Sequence, residues 1–208
     1  MAYLEESVMN SNFECTKDKK NIFLIGDSIR EGYCKIVKDE LSNVANVFYI
    51  NENNRNTQFV ITNLRAYCSK FNYPELVDIV HFNCGHWDIA HWDGADASLT
   101  SIEEYARNLK TIIELIKKLF VNAKIIFATT TSMNPCGQMG VNPRTTEEIK
   151  EYNSVAVEIC LKDNISIDDL FECVKDWDSA AYRDYCHYTD ESNQKLGKIV
   201  AKRLKELF

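Results

Sequence analysis

Residues 21–30 read Asn-Ile-Phe-Leu-Ile-Gly-Asp-Ser-Ile-Arg. The apolar residues 22–25 do not alternate with polar ones, which is typical of a strand buried on both faces, as in a parallel sheet. The run stops at Gly26, and a helix is predicted over residues 30–41. Ser28 is therefore expected just past the carboxyl end of a strand, at the amino terminus of a helix. Open α/β sheets bind ligands at such a position, and free helix N–H groups can hold an anion there.

The same triplet has a purely structural interpretation. Asp and Ser are ordinary helix N-caps, and Gly commonly ends a strand. Residues 26–28 alone therefore do not decide between a catalytic serine and a helix cap.

Composition restricts the class of protein. The chain has 208 residues, of which 45% are hydrophobic and 26% charged, which is typical of one globular domain. The formal net charge of −7 argues against nucleic acid or an anionic membrane as a partner, because phosphate binding needs clustered Lys and Arg. No apolar run reaches the length of a membrane span.

Residues 1–20 are predicted to form a loose amino-terminal arm, and residues 21–208 the domain. The arm has neither the positive start nor the apolar middle of a secretory signal. The eight cysteines are scattered and form no C-x-x-C pair, so they are interpreted as reduced thiols, and a cytoplasmic location is expected.

Strand-like and helical patterns alternate along the chain. The further strand-like runs are residues 44–50, 77–82, 123–128 and 165–167. The most regular helix is predicted after Ser101, which forms a capping-box signature with Glu104. This alternation predicts a three-layer α/β/α sandwich of flavodoxin-like topology, with about five parallel strands.

Polar residues follow the predicted strands, and Asp184-Tyr-Cys-His187 precedes the last predicted helix. An Asp and a His three positions apart can present both side chains from one turn. The carboxylate can then orient the imidazole while the imidazole deprotonates a serine. Alone, this segment favours a helix-capping surface turn over a catalytic pair.

A Gly-Asp-Ser after the first strand and an Asp-x-x-His before the last helix resemble the first and last blocks of the SGNH/GDSL hydrolase family. The resemblance extends over about residues 21–208. It implies that Ser28 is the nucleophile, His187 the general base and then acid, and Asp184 the residue that orients His187. It also implies ester hydrolysis through an acyl-enzyme.

The middle blocks depart from the family pattern. The usual Gly after the second strand is replaced by residues 53–55, and Trp87 stands where the family has an amide donor. Residues 82–87 resemble the Asn-Thr-Gly-His-Trp stretch of the polysaccharide O-acetyltransferase branch. The predicted oxyanion donors are the Ser28 backbone N–H, the Asn83 side chain and Asn54.

Four residues near these blocks are candidate substrate ligands: Asp27, Arg30, Arg55 and Trp87. Arginine forks suit carboxylates, and a tryptophan can stack on a sugar ring. Each arginine could equally be a solvated residue, and the tryptophan a core residue.

A metal site formed by His81, His86 and His91 is not favoured, because their spacing does not suit one helix face and His81 falls in a predicted strand. No Walker loop is present, and no cofactor or metal is predicted.

These observations predict a serine esterase acting on a small acyl ester, plausibly acetyl on a carbohydrate. Two alternatives stay open: an O-acyltransferase with the same triad, and a non-catalytic flavodoxin-like module that binds an anion at the sheet edge. The predicted partner is a small-molecule or carbohydrate ester, with no nucleic acid and no membrane.

Overall fold

The computed structural model describes residues 13–137 and 140–208. Residues 1–12 of the predicted arm lie outside this part of the chain. Phe13 forms a β-bridge with Phe71, and its ring packs against Phe23 and Phe48. Among the described residues no helix is both long and apolar enough to cross a membrane.

One parallel sheet forms the centre of the fold. Its strands are β1 (Lys20–Ile25), β2 (Ala45–Tyr49), β3 (Ile79–Phe82), β4 (Lys124–Ala128) and β5 (Ser166–Asp168). Their spatial order is β2-β1-β3-β4-β5, and every neighbouring pair is parallel. The predicted five-stranded parallel sheet is confirmed.

Seven α-helices surround the sheet in the described residues. They are α1 (Ser28–Leu41), α2 (Thr57–Cys68), α3 (His86–Ile89), α4 (Ile102–Leu119), α5 (Thr146–Lys162), α6 (Leu170–Val174) and α7 (Asp190–Lys205). The Ser101 hydroxyl caps α4, and Thr145 and Glu148 form a complete capping box on α5.

The strands are buried on both faces, which explains their unbroken apolar sequences. Phe23 and Ile25 of β1 pack with α2, α4 and α5. Ile22 and Leu24 pack on the opposite face with α1, α6 and α7. The fold is therefore the predicted three-layer α/β/α sandwich.

Helices α1 and α7 pack closely on one face. A Cβ built on Gly197 of α7 would lie 2.7 Å from Ile36 Cβ of α1, so only glycine allows this approach. The close packing keeps the start of α7 near the start of α1. The two sequence blocks that resemble the hydrolase family come together there.

Candidate active site

Ser28 is the first residue of α1, directly after the turn that ends β1. The Asp27 carboxylate caps this helix by accepting a hydrogen bond of 3.0 Å from the Ile29 N–H. Asp27 is fully buried, whereas Ser28 is partly exposed. The capped helix start thus holds the Ser28 hydroxyl at the carboxyl edge of the sheet.

Ser28, His187 and Asp184 form a continuous hydrogen-bonded line. His187 Nε2 lies 2.8 Å from Ser28 Oγ, across 159 positions of sequence. His187 Nδ1 lies 2.7 Å from Asp184 Oδ2. With a proton on Nδ1, the ring can accept the serine proton at Nε2 while the carboxylate orients it and stabilises the resulting imidazolium.

The Asp184 carboxylate also organises its own turn. Its Oδ1 accepts hydrogen bonds from the backbone N–H groups of Cys186, at 2.9 Å, and His187, at 2.8 Å. Partial burial alone would raise the pKa of this carboxyl, but these two N–H groups and the His187 ring lower it. Asp184 is therefore held as an anion against the imidazole.

Asn83 lies directly over the turn that carries Ser28. A Cβ on Gly26 would fall 1.9 Å from Asn83 Oδ1, so residue 26 must be glycine for this side chain to sit there. The Asn83 side chain is buried, and its nearness opposes the burial that raises the pKa of the Asp27 carboxyl. The predicted amide donor therefore lies beside the Gly-Asp-Ser turn.

Asn54 is buried at the same edge, but its donors are already committed. Its backbone N–H donates to Gly26 O at 3.0 Å, and its Nδ2 donates to Tyr67 Oη at 3.0 Å. Its Oδ1 accepts from the Gly26 N–H at 2.9 Å. The expectation that Asn54 supplies an oxyanion donor is corrected, because this residue joins the loop after β2 to the Gly26 turn.

Arg30 is likewise a structural residue. It is fully buried, and its guanidinium donates to the backbone carbonyls of Gly26, Ile50 and Glu52. The expectation that Arg30 binds substrate is wrong, since the donors that would contact an anion hold the loop in place.

Arg55 and Trp87 have surfaces that a ligand could reach. Arg55 is exposed, adopts a left-handed backbone (φ 53°) and lies 4.7 Å over the Phe59 ring. Trp87 is partly buried and stacks on the exposed Trp92, with ring centroids 5.3 Å apart. Both stay candidate substrate contacts.

The histidines considered for a metal do not converge. His81 Nε2 contacts Asp168 Oδ2 at 3.0 Å, His86 Nε2 contacts Thr131, and His91 Nε2 contacts Glu148. Among the described residues, ligand atoms with metal-binding spacing occur at Asp184, Cys186 and His187. Two of these residues already form the line to Ser28.

The long loop after β4 holds the Asp-x-x-His turn, a role that the sequence did not indicate. Asn134 donates to the backbone carbonyls of Asp184, at 3.0 Å, and Tyr185, at 2.9 Å. A Cβ on Gly140 would lie 2.9 Å from the Tyr185 ring. The loop glycines and the turn residue Asn134 carried only the general signal of a loop.

Arg144 ends this loop and is also buried. Its Nε donates to His86 Nδ1 at 3.2 Å, and its Nη2 lies 3.4 Å from Cys186 Sγ. It therefore connects the segment after β3 to the Asp-x-x-His turn. A single arginine between Pro143 and the Thr145 cap has no periodicity, so no sequence signal distinguished it.

A groove of about 360 Å³ opens beside Ser28 and His187. Much of its lining is polar or charged, with Glu31 from α1, Arg183 from the preceding turn, and Asp190 and Asn193 from α7. A ligand held there could exchange hydrogen bonds with several side chains while one of its atoms contacts Ser28.

The sequence is similar to one curated protein, the "GDSL esterase/lipase WDL1" of Oryza sativa subsp. japonica. The two are 26% identical over 143 residues, which is 64% of this chain. This chain covers 54% of the length of that relative, or about half of it. No protein-family model matches the sequence.

Solved structures resemble the chain over nearly its whole length. The lipase/acylhydrolase from Enterococcus faecalis has a TM-score of 0.69 at 21% identity, covering 90% of this chain and 96% of its own. Est24, a carbohydrate acetylesterase from Sinorhizobium meliloti, has a TM-score of 0.70 at 14% identity, covering 91% and 100%. At these identities the likeness establishes a common fold.

Proposed function

This chain resembles the SGNH/GDSL hydrolases in sequence and has their fold, and we propose that it is a serine esterase with Ser28 as nucleophile. The observation that carries the proposal is the line from Ser28 Oγ through the His187 ring to Asp184 Oδ2, with contacts of 2.8 and 2.7 Å. A hydroxyl in a non-catalytic anion site has no need of an oriented base.

In the proposed reaction, Ser28 Oγ attacks the ester carbonyl carbon as its proton passes to His187 Nε2. The carbonyl π electrons move to oxygen, and the tetrahedral intermediate carries one negative charge. His187 then returns the proton to the leaving alkoxide, and the alcohol departs from the acyl-enzyme. Water then attacks the acyl carbonyl carbon as His187 takes one of its protons. The second tetrahedral intermediate breaks its bond to Ser28 Oγ, which receives the proton from His187 as the acid departs.

The intermediate requires hydrogen-bond donors in place before the reaction. The Ser28 backbone N–H belongs to the first turn of α1, where N–H groups have no acceptor within the helix. The Asn83 amide, which lies over Gly26, is the second proposed donor.

The proposed substrate is a short acyl ester of a polar alcohol, plausibly an acetylated carbohydrate. The polar groove beside Ser28 suits a hydroxyl-rich leaving group better than a lipid. One structural neighbour, Est24, is described as a carbohydrate acetylesterase.

The test is hydrolysis of p-nitrophenyl acetate by the wild type, Ser28→Ala and Ser154→Ala, with intact-mass detection of the acetyl adduct. Ser154 is an exposed serine on α5, so its variant controls for loss of a hydroxyl elsewhere. Turnover and adduct should both disappear in Ser28→Ala, with kcat lower by several orders of magnitude, and persist in the control.

Equal turnover in wild type and Ser28→Ala would refute the proposed nucleophile. Substrate class is tested with p-nitrophenyl palmitate and with peracetylated xylose. Preference for palmitate would contradict a short acyl group on a polar alcohol. Transfer of the acetyl group to added xylose in preference to water would instead make the chain an acyltransferase.

A further inference from the structure

Arg144 is a buried cation that has no direct anionic partner in the described part of the chain. Only 6% of the residue is exposed, and its guanidinium nitrogens donate to His86 Nδ1, Cys186 Sγ and the Asn142 carbonyl. None of the ion pairs among residues 13–137 and 140–208 includes it. A buried charge without a counter-ion is costly, so its retention requires a reason.

The groups that accept its hydrogen bonds are neutral. Burial, and then the charge of Arg144 itself, holds the pKa of His86 well below the usual range. His86 Nδ1 accepts from Arg144, so the ring proton is on Nε2 and faces Thr131 Oγ1 at 3.2 Å. Burial raises the pKa of the Cys186 thiol to about 12, so the sulfur does not supply an anion.

The guanidinium lies close to the proposed base. Cys186 Sγ, which Arg144 contacts at 3.4 Å, is 3.7 Å from His187 Nδ1. The Tyr185 ring lies 5.4 Å from the Arg144 guanidinium carbon, and its centroid is 6.2 Å from that of His187. The cation is thus joined to the imidazole through Cys186 and Tyr185, whereas the Asp184 carboxylate is hydrogen-bonded to the imidazole itself.

We propose that Arg144 is an electrostatic positioning residue of the esterase, whose buried charge balances Asp184 and stabilises the oxyanion of the tetrahedral intermediate. The inference rests on the proposed function.

The charge count explains this role. In the resting enzyme Asp184 carries one negative charge and Arg144 one positive charge around a neutral His187. In the intermediate the imidazolium adds one positive charge and the oxyanion one negative charge, so the site stays neutral. Without Arg144 both states carry an excess negative charge, which opposes the oxyanion and favours protonation of the imidazole in the resting state.

Other ionisable groups also face His187 and are unchanged in the test. Its own turn contributes Asp184, Tyr185 and Cys186, and the segment after β3 contributes His86. The Gly-Asp-Ser turn contributes the buried Asp27, whose carboxyl interacts electrostatically with Arg144 and Arg30 and does not change charge in the proposed reaction. Along the groove lie Glu31, Arg183 and Asp190.

The test compares Arg144→Lys with Arg144→Gln. Lysine keeps the positive charge, whereas glutamine keeps an N–H donor for His86 but removes the charge. With p-nitrophenyl acetate, Arg144→Gln should lower kcat about a hundred-fold with little change in KM, and Arg144→Lys should stay within about ten-fold of wild type. The acid limb of the pH–rate profile should move to higher pH, by about 0.5 to 1 unit, in the glutamine variant alone.

The outcomes separate this inference from the proposed function. Ser28-dependent turnover in wild type, with kcat and acid limb unchanged in Arg144→Gln, would overturn the role of Arg144 and leave the esterase standing. Equal losses of kcat in both variants, with lowered Tm and an unmoved acid limb, would assign Arg144 a structural role and also overturn the inference. Absence of Ser28-dependent turnover, and of Ser28 labelling by a fluorophosphonate, would instead overturn the esterase itself and the role of Arg144 with it.

Discussion

The Asn83 side-chain oxygen occupies the space that a Cβ on Gly26 would need, 1.9 Å from its ideal position. The glycine of the Gly-Asp-Ser turn is thus required by a neighbouring side chain, and its own backbone does not adopt a positive φ. Two residues 57 positions apart, one directly after β1 and the other directly after β3, determine each other's positions.

Gly26→Ala is expected to lower activity by displacing Asn83. The new methyl group would also meet Arg30 Cβ at 2.8 Å, so a loss of about 1 to 3 kcal/mol in the free energy of unfolding is expected as well. Turnover of p-nitrophenyl acetate and thermal unfolding measure the two effects.

The double variant Gly26→Ala, Asn83→Ala provides the control, since removal of the amide relieves the closest clash of the methyl group and leaves the contact with Arg30 Cβ. Its kcat should be close to that of Asn83→Ala alone, whereas the loss of stability from the Arg30 contact should persist. Independent, multiplicative losses would mean that Gly26 acts on activity by another route.

Asn83→Ala should lower kcat by about a hundred-fold if its amide donates to the oxyanion, with a smaller change in KM. Asn46, an asparagine on β2 whose amide donates to Thr16 at 2.9 Å, offers a matched control as Asn46→Ala. An unchanged kcat in Asn83→Ala would remove this residue from the oxyanion site.

Asp88 should make stability fall as pH rises in the mildly acidic range. Burial raises the pKa of its carboxyl to about 6 in the folded chain, although hydrogen bonds from Thr57 oppose the shift. An unfolded aspartate titrates near about 3.9, so between about pH 4 and 6 the folded state binds more protons than the unfolded state. Stability therefore decreases over this interval, by about 2 kcal/mol.

Asp88→Asn keeps an oxygen that can accept a hydrogen bond from the Thr57 N–H at the start of α2. The variant no longer has an ionisable group at this position. Chemical denaturation at pH 4.5 and 7.0 measures how far the free energy of unfolding falls between these two pH values. The fall should be smaller in Asp88→Asn than in wild type. The same pH difference in both proteins would contradict the assignment.

His91 should also make stability fall as pH rises, here in the neutral range. Its ring nitrogens face two acceptors, Glu148 Oε1 at 2.6 Å and Ala95 O at 2.8 Å, and the hydrogen bond to Glu148 raises the pKa of this imidazole. Because the folded pKa lies above the unfolded one, the stabilisation is complete below about pH 6.5 and is lost as pH rises through the folded value. The side chains are partly exposed, so about 1 kcal/mol or less is expected.

Thermal unfolding of wild type and His91→Gln at pH 6.0 and 8.5 measures this contribution. The variant should lose Tm at pH 6.0 and be closer to wild type at pH 8.5. A deficit that is larger at pH 8.5 would reverse the sign and reject the proposed charge on His91.

The layers of this fold could be predicted because each buried strand carries an unbroken apolar run. Residues 22–25 are all apolar, so both faces of this strand must be buried. Ser101 and Thr145 mark helix starts because their hydroxyls accept hydrogen bonds from backbone N–H groups three positions on. The predicted third strand began at residue 77, but β3 starts at Ile79 because Pro74–Leu76 form a short 3₁₀ turn before it.

The polar residues at the sheet edge were harder to predict, because their roles depend on partners distant in sequence. Arg30 follows Ser28 by two positions, yet its donors bind carbonyls of the loop after β2. Asn54 stands where an oxyanion donor was expected and joins that same loop to Gly26. Arg144 lies 42 positions from Cys186, and its burial follows from the path of the loop after β4.

Close packing of Gly197 on Ile36 has a consequence for the newly made chain. Ser28 is among the first residues of the domain to emerge during synthesis, while His187, its proposed base, lies just ahead of the last helix. Until α7 docks on α1, Ser28 is an ordinary alcohol with no base beside it. A larger side chain at position 197 would hold the two helices apart and leave a chain whose sheet has folded but whose Ser28 lacks its proposed base.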